Sequence, residues 1–237
     1  MRLERRIVRG YDSKPFSHKF MVSIHYEDVH SCGGTLYKQD TVITAAHCSE
    51  EDIRLFDVLV HRHDFQKTDE EEHGSRYKIK EFITHPDYSL LGVKNDIAIV
   101  RLDRKGHIRT RVILDDAGIS EMEGMELTLL GWGLNEHGEY PDILQETKLP
   151  ILDIEYCKAQ YATLGYRISE AMVFCAGFAK AQSDSCNADS GGPIFLVSSN
   201  HVVLVGVVSW GEGCAKDGFP GFYTRVSSYI PWILATV

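Results

Sequence analysis

The sequence predicts an all-β fold with a C-terminal helix, on three observations. Turn signals recur along the chain: Gly33-Gly34, His85-Pro86-Asp87, Gly131-x-Gly133, Tyr140-Pro141-Asp142, Gly191-Gly192-Pro193 and Gly218-Phe219-Pro220-Gly221. Between them lie short runs rich in β-branched and aromatic residues. Helical periodicity is scarce. Many short strands at such spacing build a sandwich or a barrel.

Taken in order, the runs at 20–25, 41–46, 57–60 and 97–102 read as strands, followed by 127–130, 194–197 and 202–210. Residues 154–164 and 226–234 are the helical segments, the second close to the C-terminus. No internal repeat or low-complexity linker interrupts the pattern. The 237 residues fit roughly one or two domains. Two barrels of about equal size, divided near 112–120, would fill the length.

Composition excludes several classes. Hydrophobic residues make up 43% and charged residues 25%, a globular balance that argues against disorder and fibrous repeats. The longest apolar stretch, 202–208, is broken by Gly206, too short for a membrane-spanning helix. Lys and Arg total 25 against 34 Asp and Glu, a net charge of -9. Nucleic acid is therefore not an expected partner. A negative field favours the approach of cationic substrates. The acidic block Asp69-Glu70-Glu71-Glu72 reads as a solvated loop. As a calcium site it lacks the ligand spacing and turn glycine of an EF-hand.

The 6 cysteines are Cys32, Cys48, Cys157, Cys175, Cys186 and Cys214. None forms Cys-x-x-Cys, which argues against zinc and thioredoxin-like chemistry. Disulfides in an oxidising compartment are the better expectation, but six thiols allow about 15 pairings and spacing does not choose. The first residues, Met1-Arg2-Leu3-Glu4-Arg5-Arg6, carry no apolar signal region. Either the record is truncated or the protein is intracellular, and the residues that follow favour truncation. No Asn-x-Ser/Thr sequon occurs, so N-glycosylation is not expected.

Three segments carry the chemistry: Thr44-Ala45-Ala46-His47-Cys48, Asn95-Asp96-Ile97-Ala98 and Asp184-Ser185-Cys186-Asn187-Ala188-Asp189-Ser190-Gly191-Gly192-Pro193. Each alone has an ordinary structural explanation. Together they supply a nucleophile, a base and an acid that orients the base. A serine hydroxyl is a poor nucleophile until a base takes its proton. Imidazole titrates near neutrality, so it can take that proton and return it.

These segments resemble the chymotrypsin/trypsin-like serine endopeptidases. The resemblance extends to Cys32-Gly33-Gly34-Thr35-Leu36, Gly131-Trp132-Gly133, Ser209-Trp210-Gly211, Pro220-Gly221-Phe222-Tyr223-Thr224 and Tyr229-Ile230-Pro231-Trp232-Ile233. It implies two packed six-stranded antiparallel β-barrels with the active site between them, as residues 7–115 and 116–237, with 1–6 a residual propeptide. His47 and Asp96 would come from the first barrel and Ser190 from the second. It implies the pairs Cys32–Cys48, Cys157–Cys175 and Cys186–Cys214, and a secreted protein. Ser190 would attack, His47 would act as base and then acid, and Asp96 would orient His47. The amides of Ala188 and Ser190 would hold the oxyanion.

The resemblance also implies specificity and activation. Asp184 would lie at the base of the primary pocket, where a buried carboxylate calls for the Arg or Lys of a substrate. Gly211 and Gly221 would form walls that leave room for a long cation. Ser209 and Gly211 would offer backbone groups to an extended peptide. Cleavage after Arg6 would free the amine of Ile7 to pair with Asp189 and order the site. Ser23 and His30 match positions that hold this acid in some zymogens. No metal or cofactor is needed. The expected partners are peptides or proteins with Arg or Lys, and protein inhibitors; no membrane partner is expected, and the protein is expected to be a monomer.

Two residues depart from the family pattern. Ala188 stands where glycine is usual, and resists a positive φ at a cost of ~1–2 kcal/mol. Arg9 stands in the new N-terminal sequence where glycine is usual. These departures support the rival class, a catalytically impaired or non-catalytic paralogue that binds proteins.

Overall fold

The structure, a computed structural model, describes residues 10–90, 94–135, 138–180, 186, 188–198, 201–214 and 216–237. The first half contains β1 (Tyr11–Asp12), β2 (Met21–Tyr26), β3 (Val29–Lys38), β4 (Thr41–Thr44), β5 (Phe56–Val60), β6 (Ser75–Thr84) and β7 (Ala98–Leu102). Strands β2 to β7 close into an antiparallel barrel in the order β2-β3-β4-β7-β6-β5. β5 is buried along its whole length and β7 almost so, which is why both read as apolar runs. β6 instead buries Tyr77 and exposes Lys78 and Lys80, the alternation of a strand with one wet face. One register matters for the site. Thr44 pairs with Ala98, so β4 ends where β7 begins. His47 lies just past one strand end and Asp96 just before the other.

The second half contains β8 (Val112–Leu114), β9 (Glu126–Gly131), β10 (Gln145–Pro150), α1 (Ile154–Ala162), β11 (Val173–Ala176), β12 (Pro193–Ser198), β13 (His201–Trp210), β14 (Gly221–Arg225) and α2 (Ile230–Thr236). Its sheet is 8-stranded and runs β1-β10-β9-β12-β13-β14-β11, with β8 joining β13 in parallel. A bridge between Ile151 and Ala176 brings the ends of β10 and β11 together. The strands β9 to β14 thus form a ring closed by one bridge, with β1 and β8 outside it. Among the described residues, the first barrel closes through full ladders and the second ring through the single Ile151–Ala176 bridge.

The helices follow local rules. Asp153 caps α1 by accepting from the Glu155 amide at 3.0 Å. The C-terminal segment starts as a 3-10 turn, Val226–Tyr229, and becomes α2 with Pro231 in its first turn, where a missing N–H costs nothing. One core cluster joins Val22, Ile43 and Ile99 to Leu130, Trp132, Phe195 and Leu204, so the halves share buried surface. Phe20 meets Phe195 edge-on with centroids 5.0 Å apart. Disulfides join Cys32 to Cys48, Cys157 to Cys175 and Cys186 to Cys214. No helix among the described residues is long and apolar enough to cross a membrane.

The acidic block departs from the solvated-loop expectation. Glu72 is 2% exposed. Its carboxylate accepts from Arg62 Nε at 2.8 Å, from the His63 amide at 3.0 Å and from the Asp64 amide at 2.9 Å. Arg62 also binds Asp69 and donates to the carbonyls of Asp64 and Lys67. A guanidinium therefore fills the centre of the loop and neutralises the carboxylates that turn inward.

Candidate active site

Asp96 is held from several directions. The residue before it, Asn95, has φ 51°, a conformation that asparagine tolerates well. Asn95 donates to the Asp87 carbonyl at 2.7 Å and accepts from the Tyr229 hydroxyl at 3.0 Å. The Asp96 carbonyl accepts from Thr224 Oγ1 at 2.7 Å. Its carboxylate is 1% exposed and faces His47. Oδ2 lies 2.8 Å from His47 Nδ1, and Oδ1 accepts from the His47 amide at 3.0 Å. Ser209 Oγ donates to Oδ2 at 2.5 Å.

A carboxylate only accepts, so the ring proton of His47 sits on Nδ1 and Nε2 carries a lone pair. Burial lowers the pKa of His47. The Asp96 hydrogen bond and charge, with the Glu50 charge, outweigh burial and leave the pKa raised. The imidazole is thus a strengthened base with its acceptor nitrogen available.

Ser190 is brought to this site by backbone. Its carbonyl accepts from the Gly33 amide at 2.8 Å. Gly33 follows Cys32, which is bridged to Cys48 beside His47. A Cβ on Gly33 would come within 2.9 Å of Gly192 Cα, so glycine permits this approach. Gly191 donates to the Val208 carbonyl at 2.8 Å, tying the turn to β13. Among the described residues no hydrogen bond joins Ser190 Oγ to His47. In unliganded sites that bond is commonly long and tightens when substrate binds.

Ala188 takes φ 72°, the conformation that its side chain resists. Its carbonyl oxygen lies 3.0 Å from His30 Nε2. Asp189 is fully buried. Its Oδ1 accepts from the Gly133 amide and its Oδ2 from the Cys186 amide, each at 2.8 Å. A Cβ on Gly133 would collide with this carboxylate. Burial pushes the Asp189 pKa up to about 7, against the pull of the two amides. His30 therefore bonds the carbonyl next to Asp189, and the acid itself faces Gly133 and Cys186.

Ser209 is the extra residue at a bulge between Val208 and Trp210, which places its side chain on Asp96. The sequence assigns Ser209 only backbone contacts to substrate and carries no mark of this bond, nor of the Thr224 and Tyr229 bonds to this segment. No local signal ties any of them to Asp96. A Cβ on Gly211 would sit 3.7 Å from Gly221 Cα, so the two backbones lie side by side. The disulfide Cys186–Cys214 joins the segment before Ser190 to the segment after Gly211. Asp184, Arg6, Ile7 and Arg9 lie outside the described residues. Cys32, His47 and Cys48 are close enough to hold a metal ion, but both sulfurs are consumed in a disulfide.

The chain matches the family model described as Trypsin over residues 7–233. It is 36% identical over 234 residues to Transmembrane protease serine 11B of Homo sapiens, covering 96% of this chain and 55% of that protein. It is 34% identical over 248 residues to Serine proteinase stubble of Drosophila melanogaster, covering 100% of this chain and 32% of that protein. It is 36% identical over 244 residues to Anionic trypsin of Bos taurus, covering 98% of this chain and 90% of that protein. The class is that of the serine proteases, hydrolases of peptide bonds. Within it the chain belongs to the trypsin family. It spans about half and about a third of the first two of these relatives.

Proposed function

We propose that the protein is a secreted endopeptidase that cleaves after Arg or Lys and is made as a zymogen. The observation that carries the catalytic part is the His47 Nδ1 to Asp96 Oδ2 contact of 2.8 Å, made between a partly exposed imidazole and a buried carboxylate. It fixes the tautomer and leaves Nε2 to take the Ser190 proton. Ser190 then attacks the carbonyl carbon of the scissile bond. The tetrahedral oxyanion settles on the amides of Ala188 and Ser190. His47 gives its proton to the leaving amine, the acyl-enzyme forms, and water attacks by the same route in reverse.

Specificity rests on Asp184, with Gly211 and Gly221 as walls. The close pairing of those two backbones supports a narrow slot, and the net charge of -9 favours cationic substrates. Ser209 and Gly211 would pair with the extended peptide. Activation rests on Arg6 and Ile7. Cleavage there would free an ammonium for Asp189, whose carboxylate is fully buried and accepts from two backbone amides. In this reading residues 7–115 and 116–237 are the two halves of the peptidase domain, with β8 (Val112–Leu114) crossing over to pair with β13 of the second sheet, and the partners are peptides, proteins and protein inhibitors that present a basic residue.

A peptide library tests the reading. The protein, cleaved after Arg6 by immobilised trypsin, should cut after Arg and Lys. Asp184→Ser should abolish that preference while Ser190 stays reactive. Cleavage after aromatic or small residues by the parent protein would overturn the specificity assigned here.

A further inference from the structure

Ala188 occupies a left-handed conformation that a side chain disfavours, at φ 72°. One side chain reaches its carbonyl. His30 Nε2 lies 3.0 Å from Ala188 O, across 158 residues of sequence. His30 Nδ1 lies 2.6 Å from Ser23 Oγ. A carbonyl oxygen only accepts, so Nε2 carries the proton and the Ser23 hydroxyl donates to Nδ1. Both ring nitrogens are satisfied, and the direction of the relay is fixed.

The ring has little freedom. Ser23 is fully buried in β2. His25, Phe65 and Trp132 surround His30 with ring centroids at 6.0, 5.8 and 5.7 Å. Although its edge touches solvent, this packing strips water from it. That loss of hydration, reinforced by neighbouring His25, pushes the pKa down to about 3, so the ring stays neutral and keeps this pattern across the physiological range. The first barrel thus supplies a rigid donor to the turn that carries the strained residue.

We propose that Ser23 and His30 form a positioning pair that holds Ala188 in its left-handed conformation, keeping the Ala188 amide aimed at the developing oxyanion. The inference rests on the hydrolytic reading above. Glycine enters this conformation freely, so the demand on His30 is created by the alanine. The pair touches neither substrate nor reacting atoms and acts through Ala188.

The test compares His30→Leu, Ala188→Gly and the double variant, each cleaved after Arg6. The readouts are kcat and KM on the best library peptide and the rate of Ser190 labelling by a small fluorophosphonate, which uses the oxyanion hole without needing the specificity pocket. His30→Leu should lower kcat and labelling ~10-fold, with KM changed by less than about twofold, the size of one lost support against local strain. In the Ala188→Gly background the same change should cost less than about threefold, because glycine carries no strain to hold. His30→Gln, which keeps a donor, should recover part of the loss. If His30→Leu does not fold, Ser23→Ala should give a smaller loss that Ala188→Gly also relieves. Equal losses in both backgrounds, a loss in KM alone, or no loss would overturn the proposal. A parent protein that is not labelled at all would instead overturn the hydrolytic reading, and the positioning role with it.

Discussion

Asp96 determines which nitrogen of His47 can work. It accepts a hydrogen bond from Nδ1, with N···O at 2.8 Å, and a second from Ser209 Oγ at 2.5 Å. Asp96→Asn presents a donor to Nδ1 and favours the wrong tautomer, so kcat should fall by ~10⁴ while the fold persists. Steady-state kinetics with circular dichroism checks both parts. The sign of the pH dependence follows from the same contact. Burial lowers the His47 pKa, but the Asp96 bond and charge raise it above the ordinary value of 6.5. The reactive form is neutral, so kcat/KM should climb with pH through an inflection above 6.5. Asp96→Asn removes the raising influence and leaves desolvation, so the imidazole should titrate below its position in the parent protein. An NMR titration of the His47 ring in both proteins reads this, and coincident curves would contradict it.

At the scale of elements, uniform burial makes a strand legible only where the residues are also apolar and β-branched: β11 and β14 are as fully buried as β5, yet neither stands out as a run. β5 and β7 are buried almost throughout and stand out as apolar runs. β6 was missed because Arg76, Lys78 and Lys80 interleave its buried positions. β3 was missed for another reason: Gly33 and Gly34 read as a turn, yet they lie inside the strand and Gly33 makes room for Gly192. The side chains of His47 and Asp96 were legible through the motifs around them. Their supports on Ser209, Thr224 and Tyr229 come from strands and turns more than 100 residues away, and sequence carries no mark of such contacts. The loop after β5 shows the same limit, since its acidic block conceals an internal ion pair. Arg62→Ala would leave Glu72 buried without a cation and should destabilise the protein by ~3–5 kcal/mol. Denaturant unfolding measures this, and a change below about 1 kcal/mol would show that the pair contributes little.

At the scale of the whole molecule, the two halves meet at the groups to which the proposed mechanism assigns the chemistry. Gly33 of the first barrel donates to the Ser190 carbonyl at 2.8 Å. Thr224 and Ser209 of the second ring hold Asp96. His30 reaches Ala188. Motion between the halves would therefore disturb nucleophile, base and oxyanion support together. In the proposed activation, Asp189 is the acid that the freed Ile7 ammonium would meet. Its folded pKa is raised to about 7, so it holds its proton more tightly folded than unfolded. That contribution to stability is full below the unfolded carboxylate range, near pH ~4, and is lost as pH rises through about 7. In uncleaved protein, stability should fall across that window. Cleavage after Arg6 should reduce the fall, because the Ile7 ammonium favours the charged carboxylate. Denaturation midpoints at several pH values, before and after cleavage, distinguish the two, and identical profiles would remove Asp189 from activation. The most direct measurement of the central claim is fluorophosphonate labelling of the cleaved protein, with the modified residue located by mass spectrometry. The account predicts near-stoichiometric modification at Ser190, suppressed in His47→Ala. Folded, cleaved protein that leaves Ser190 unmodified would contradict it.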